Sequence, residues 1–218
     1  MTPTRNGLVQ AIVVGPAGDH LEVIEAVMRA SVTAYLDRDL EDPAWAEWLT
    51  GSFTKTVRAT NATRIAAISD LPGAVTVRVG DATAVALSPA SYDDLPPMVA
   101  RARVAGLDRA RPGSDHPLAG FSVLVNDSLA MTTGKAAAQA AHALMVRALT
   151  GEWGATQIAQ AKPVPVSASL FDVFAAVAPG SVIHDAGWTE IPAGSATALA
   201  VEIDPGDTGP LIPPVPPR

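Results

Sequence analysis

Residues 124–145, LVNDSLAMTTGKAAAQAAHALM, constrain the fold more than any other stretch. They open as an apolar strand, pass through a short polar turn and enter a helix made mostly of alanine. Among the early helical side chains only Lys135, Gln139 and His142 carry chemistry. At 100° per residue they fall at roughly 0°, 40° and −20° on the helical wheel. A lysine, an amide and an imidazole thus share one stripe just beyond a strand end. The alanines beside them let the helix lie close on a sheet.

The flanking sequence supplies that sheet. Residues 8–14 (LVQAIVV) read as a buried strand. Asp19 is placed to cap a helix over 20–36, whose apolar residues recur at helical spacing. Asp42-Pro43 starts a short helix that carries Trp45 and Trp48, read as core residues. FTKTVRA (53–59) alternates as a strand does, and Asn61 caps a helix over 62–68. AVTVRV and ATAVAL, joined through Gly80-Asp81, predict a hairpin. Prolines 89, 96, 97, 112 and 117 break up residues 88–119 into a connector with a short helix over 98–105. After it come a strand over 121–126, the alanine helix over 133–149 and a helical piece over 153–160. A strand over 164–168 follows, which its prolines confine to an edge or a strand start. The remaining elements are a helix capped by Ser169, a strand over 181–184 and a last strand over 196–203. The Pro-rich tail from 205 reads as extended.

Both halves therefore run strand, long helix, short helix, strand, helix, strand, strand. Residues 7–89 and 120–203 are nearly equal in length, and the order of elements predicts an internal duplication.

Composition narrows the function classes. Apolar residues make up 48% of the 218, which is enough for a sizeable core. Cysteine is absent, which excludes disulfides and thiolate metal sites and fits a reducing cytoplasm. The start of the chain shows no signal-peptide pattern, and no apolar run is long enough to span a membrane. The net charge of −7 argues against a general nucleic-acid coat. Of the basic residues, only Lys135, Arg147, Lys162 and Arg218 follow Gly120, so the half with the alanine helix is the more acidic one. The four histidines show no metal-ligand spacing, so neither a metal nor a cofactor is expected. TTGK at 132–135 lacks the first glycine and the final hydroxyl residue of a phosphate loop.

A lysine amine beside a carboxylate can stabilise a developing oxyanion or position a water. Asp185, where a strand ends in a tight turn, is the candidate carboxylate. Thr189 adds a hydroxyl four residues on, and Gly187 lets the backbone approach closely. His142 adds a group that titrates near neutrality. The same residues have structural readings: a solvated lysine, a packed histidine, a turn-forming aspartate.

Two runs carry a resemblance to a known family. LAMTTGKAAAQAAHA (129–143), followed by IHDAGWTEIPAGSATALAV (183–201), resembles the type 2 peptidyl-tRNA hydrolases, the archaeal and eukaryotic class. The family pattern is an L-x-M-x-x-G-K-x-x-A-Q-x-x-H run opening the first helix, then a D-A-G-x-T-x-I-x-P-G-S run near the end. The match covers about residues 120–203. The resemblance implies an α/β domain with a mixed four-stranded sheet flanked by helices. It also implies hydrolysis of the ester between a peptide and the 3′ end of tRNA. It makes residues 1–89 a degenerate copy without the motif, 90–119 a connector, 120–204 the family-like domain and 205–218 a flexible tail. The whole would be a tandem pseudo-dimer with one surviving site. Carried over by motif position, that site holds Lys135 as the electrophilic or oxyanion contact, Asp185 orienting Lys135 or water, and Thr189 as a hydrogen-bond partner. Gln139 and His142 would orient the substrate end or the helix stripe, with Gly134 and Gly187 beside it.

The chain departs from the family where tRNA phosphate would be met. It has Asn126, Ser128, Thr133 and Trp188 where the family usually has a basic residue, Asp, Lys or Arg, and Arg. Arg58, Arg64, Arg101 and Arg103 of the first half are the candidates to compensate. The alternatives are a non-catalytic binding or scaffold protein that keeps the fold, and a hydrolase of another small ester or amide.

Overall fold

Asp19 caps the first long helix as its sequence predicts. Its carboxylate accepts the Glu22 N–H at 2.9 Å, and the Glu22 carboxylate accepts the Asp19 N–H at 3.1 Å. This reciprocal pair satisfies two backbone donors that a helix start otherwise leaves open. The computed structural model describes residues 7–51, 53–112, 118–187 and 190–204.

The first half runs β1 (Val9–Val14), α1 (His20–Leu36), α2 (Pro43–Thr50), β2 (Thr54–Ala59), α3 (Ala62–Ser69), β3 (Val75–Val79) and β4 (Ala82–Ala86). A short helix, α4 (Pro97–Ala100), lies in the connector. The second half runs β5 (Gly120–Asn126), α5 (Thr133–Leu149), α6 (Ala155–Gln160), β6 (Lys162–Val166), α7 (Ala168–Val177), β7 (Val182–His184) and β8 (Ala196–Ile203). The chain is thus α/β with two four-stranded mixed sheets, ordered β2-β1-β4-β3 and β6-β5-β8-β7. In each sheet the first two strands in sequence pair in parallel, and the other pairs are antiparallel. A parallel pair needs a long crossover, which α1 and α2 provide in one half and α5 and α6 in the other.

The central strands are buried on both sides. Ile12 and Val14 face an inner core, while Val9, Ala11 and Val13 face an outer layer with Ile65, Ile68 and Val99. In the second sheet Val123 and Val125 face the same inner core, and Leu124 faces Phe171 and Phe174 of α7. The inner core is shared: Val23, Ile24, Val27 and Met28 of α1 pack in one cluster with Ala137, Ala140, Ala141 and Leu144 of α5. Alanine suits α5 because the helix is covered on two sides, by α1 and by β8 of its own sheet. Polar links also cross between the halves. His20 Nδ1 lies 2.9 Å from Thr133 Oγ1, Lys162 reaches Glu25 at 2.8 Å, and Arg29 donates to the Ala161 carbonyl.

Some elements fall away from their sequence expectations. The connector helix ends at Ala100 instead of 105, because Arg103 leaves the helix to pair with Ala59 at the end of β2. The sixth strand covers 162–166, not 164–168, and Ser167, not Ser169, caps α7. The prolines of that strand do lie on a sheet edge, as their missing N–H groups require. The tail from 205 lies outside the described residues. Among the described residues no helix is long and apolar enough to cross a membrane.

Candidate active site

Lys135 enters the site from the first turn of α5, with Thr132 as the cap. Asp185 enters from the residue after β7. Its backbone is clamped on both sides, its N–H to the Ser195 carbonyl at 2.9 Å and its carbonyl to the Gly194 N–H at 2.7 Å. The clamp brings together two residues 50 positions apart, and their side chains form an ion pair through Asp185 Oδ2. The pair is well shielded: the Lys135 side chain is 14% exposed and that of Asp185 3%. Attraction between charges is strengthened where water is excluded.

Asp185 has further partners. Gln139 Nε2 donates to Oδ2 at 2.7 Å, and the Gly187 N–H donates to Oδ1 at 2.7 Å. Gly187 has φ +77°, and a Cβ there would collide with the Ala193 backbone, so glycine is needed for this contact. Gln139 Oε1 lies 3.0 Å from the Thr197 hydroxyl of β8, which also reaches the Ile183 carbonyl at 2.9 Å. The Gln139 amide is therefore engaged at both ends and fixes the carboxylate. Thr197 is a site member that the sequence reading missed. Its signal was a hydroxyl followed by the apolar run ALAV in the strand ATALAVEI.

His142 lies two turns along the same stripe, part-buried, with its ring 5.0 Å from that of Phe53. Burial, and then the positive charges of Lys55 and Lys135, hold its pKa well below the ordinary 6.5. The imidazole is neutral at pH 7. Gly134 faces the connector: its N–H donates to the Leu107 carbonyl at 2.9 Å, and a Cβ would come within 3.3 Å of the Leu107 side chain. Thr189 and Trp188 lie outside the described residues.

These side chains line a cleft of about 560 Å³. One wall is α5 with the turn after β7. The opposite wall is the start of β2, with Phe53, Lys55 and Val57, so both halves build the cleft. The connector contributes Val104 and Leu107. Arg58, Arg64, Arg101 and Arg103 do not line it. Arg58 instead donates to the carbonyls of Val99 and Ala100. The start of α5 is occupied by carboxylates of the chain itself. Glu190 accepts the Thr132 N–H at 2.9 Å and its hydroxyl at 2.6 Å, and Asp108 accepts from Thr133. Among the described residues no group of three or more His, Asp or Glu side chains converges as a metal site would.

Compared with family models, curated proteins and solved structures, the chain matches nothing in any of the three.

Proposed function

We propose that the chain hydrolyses acyl esters in this cleft, and that its substrate is the ester joining a peptide to the 3′ end of tRNA. The observation that carries the reading is the shielded Lys135–Asp185 pair on the wall of an open cleft. Asp185 accepts from Lys135, Gln139 and Gly187, so it holds the ammonium in place. Lys135 has two further N–H bonds with no protein acceptor among the described residues. One of them donates to the ester carbonyl oxygen. Water attacks the carbonyl carbon, the negative charge that develops on oxygen is stabilised at Lys135, and the proton the water loses passes through solvent in the cleft to the ribose oxygen as it departs. Collapse of the adduct breaks the C–O bond to the ribose, releasing the peptide acid and the tRNA hydroxyl. His142 and Phe53 form the wall on which the acyl side rests.

The resemblance of residues 129–143 and 183–201 to type 2 peptidyl-tRNA hydrolases supports the choice of substrate. A second reading, hydrolysis of another small ester or amide, is favoured by Glu190 and Asp108. They fill the helix start, where a phosphate would otherwise be welcome. Release of peptide from peptidyl-tRNA separates the readings. Wild type is expected to release it, and Lys135→Ala and Asp185→Ala to lose about 100-fold or more, the scale of one lost oxyanion donor. No release by wild type at high enzyme concentration would end the tRNA reading. Unchanged rates in both variants would remove the site assignment.

We also infer that the two halves are tandem copies, a covalent pseudo-dimer with one working site. The shared strand order and pairing support this. So does a correspondence at the site. Glu22 stands three residues after its helix cap Asp19, as Lys135 stands three after Thr132. The Glu22 carboxylate lies against Gly80, the residue after β3, as Lys135 lies against Asp185 after β7. If the positions correspond, Glu22→Lys with Gly80→Asp restores a pair in the first half. The double variant is then expected to be more stable in urea than the two single changes sum to. Simple additivity would count against the correspondence.

A further inference from the structure

Lys55 is the one lysine of the cleft that the site chemistry leaves unused. It stands in β2, the edge strand of the first sheet, and lines the cleft opposite α5. The residue is 8% exposed, and its Nζ is buried with no hydrogen-bond acceptor among the described residues. Two aromatic faces flank it instead, Trp48 at 4.2 Å and Phe53 at 4.1 Å from the ring centroids. Aromatic faces attract a cation but accept none of its three N–H bonds as an oxygen would. A buried charge without an acceptor is expensive and rare, and calls for an explanation. Phe53 adds to the anomaly. Its φ is +52°, unfavourable for an aromatic residue, and it is held there between Lys55 and His142.

The other cation of the cleft, Lys135, already has its carboxylate in Asp185. Lys55 has none. The cleft also presents apolar side chains, among them Phe53, Val57, Val146 and Ile183. A single ammonium at an apolar wall suits a monoanion with an apolar body, such as a carboxylate on a hydrocarbon or aryl chain. A phosphate dianion would need more donors than this wall provides.

We propose that Lys55 is a specificity residue supplied by the first half, which receives a carboxylate of the ligand bound in the second half's cleft. The proposal rests on the cleft being a substrate site, and it places the ligand's anionic end at Lys55 and its reacting carbonyl at Lys135. The degenerate half would then retain a function, to select what the other half acts on.

Binding without turnover tests this. The probes are 3-phenylpropanoate and its uncharged amide, 3-phenylpropanamide, titrated calorimetrically at pH 7 into the full chain. Wild type is expected to bind the carboxylate at least tenfold more tightly than the amide. Lys55→Met is expected to bind the two alike, and Lys135→Met to keep the preference. Equal affinities in wild type, no binding of either probe, or a preference that survives in Lys55→Met would overturn the proposal. So would a preference lost only in Lys135→Met. Carboxylate selection without any ester hydrolysis would leave Lys55 in its role and end the hydrolase reading alone.

Discussion

Asp185→Ala is expected to lower folding stability by about 3–5 kcal/mol, the cost of breaking a buried ion pair by removing one partner. The carboxylate is almost fully shielded and serves three donors, so its full cost is felt. Its removal strands the Lys135 ammonium and leaves the Gln139 amide without its acceptor. Lys135→Met is a milder change. Asp185 then keeps Gln139 and Gly187 as donors, and the expected cost is about 1–2 kcal/mol. The double variant Lys135→Met/Asp185→Leu is expected to be more stable than Asp185→Ala alone, since no charge remains buried. Urea denaturation midpoints, read with the slope to exclude a change in the denatured state, measure all three. Equal small losses in both single variants would mean that water screens the pair, against the burial described here.

Lys55→Met is expected to stabilise the fold by about 1–3 kcal/mol, the penalty of a buried donor left without an acceptor. For a chain of this length that raises the melting temperature by several degrees. Burial pushes the lysine well below its ordinary pKa of 10.5. Over the interval between its folded value and 10.5 the unfolded chain binds a proton that the folded chain does not. Wild-type stability therefore rises with pH through that interval, and falls as pH drops from 10.5 until the folded value is passed. The variant lacks this dependence, so its advantage is expected to shrink as pH approaches 10.5. A melting-temperature difference that stays constant from pH 7 to 10.5 would show that Lys55 is not desolvated in solution. A gain in stability with a loss of carboxylate selection in the same variant would mark a residue kept for use, as functional sites often show.

The site was legible in the sequence where local rules applied. Lys135, Gln139 and His142 lie on one stripe of a helix whose observed span, Thr133–Leu149, matches the expected one. The caps Asp19 and Asn61 accept the backbone N–H groups that their positions predict, and the helix expected to start at Asp42-Pro43 does so, with Asp42 as its cap. Asp185 was placed by its tight turn and by the family-like run around it, and the structure brings it to Lys135. Lys55 was not legible. Alternation in FTKTVRA sets it on the face of Phe53, Val57 and Ala59, but the burial of a lysine there depends on Trp48 and Phe53 covering it and on α5 of the other half lying against β2. Asp108 was hidden likewise. It lies in a segment read as a breaker-rich connector, yet it caps a helix some 25 residues further on. Thr197 became a site residue through pairing of β8 with β7, a register that local sequence does not specify. Each miss depends on contacts between distant segments, which periodicity along one element cannot encode.

The packing of α1 against α5 has a consequence for behaviour on dilution. Two separate domains that met through such a helix pair would dissociate as their concentration fell, and a cleft walled by β2 of one and α5 of the other would open. On a single chain the connector fixes the effective concentration of each half for its partner, whatever the concentration in solution. The cleft therefore stays assembled at the nanomolar scale, and its two walls are free to diverge, since neither must also serve as the opposite wall of an identical site.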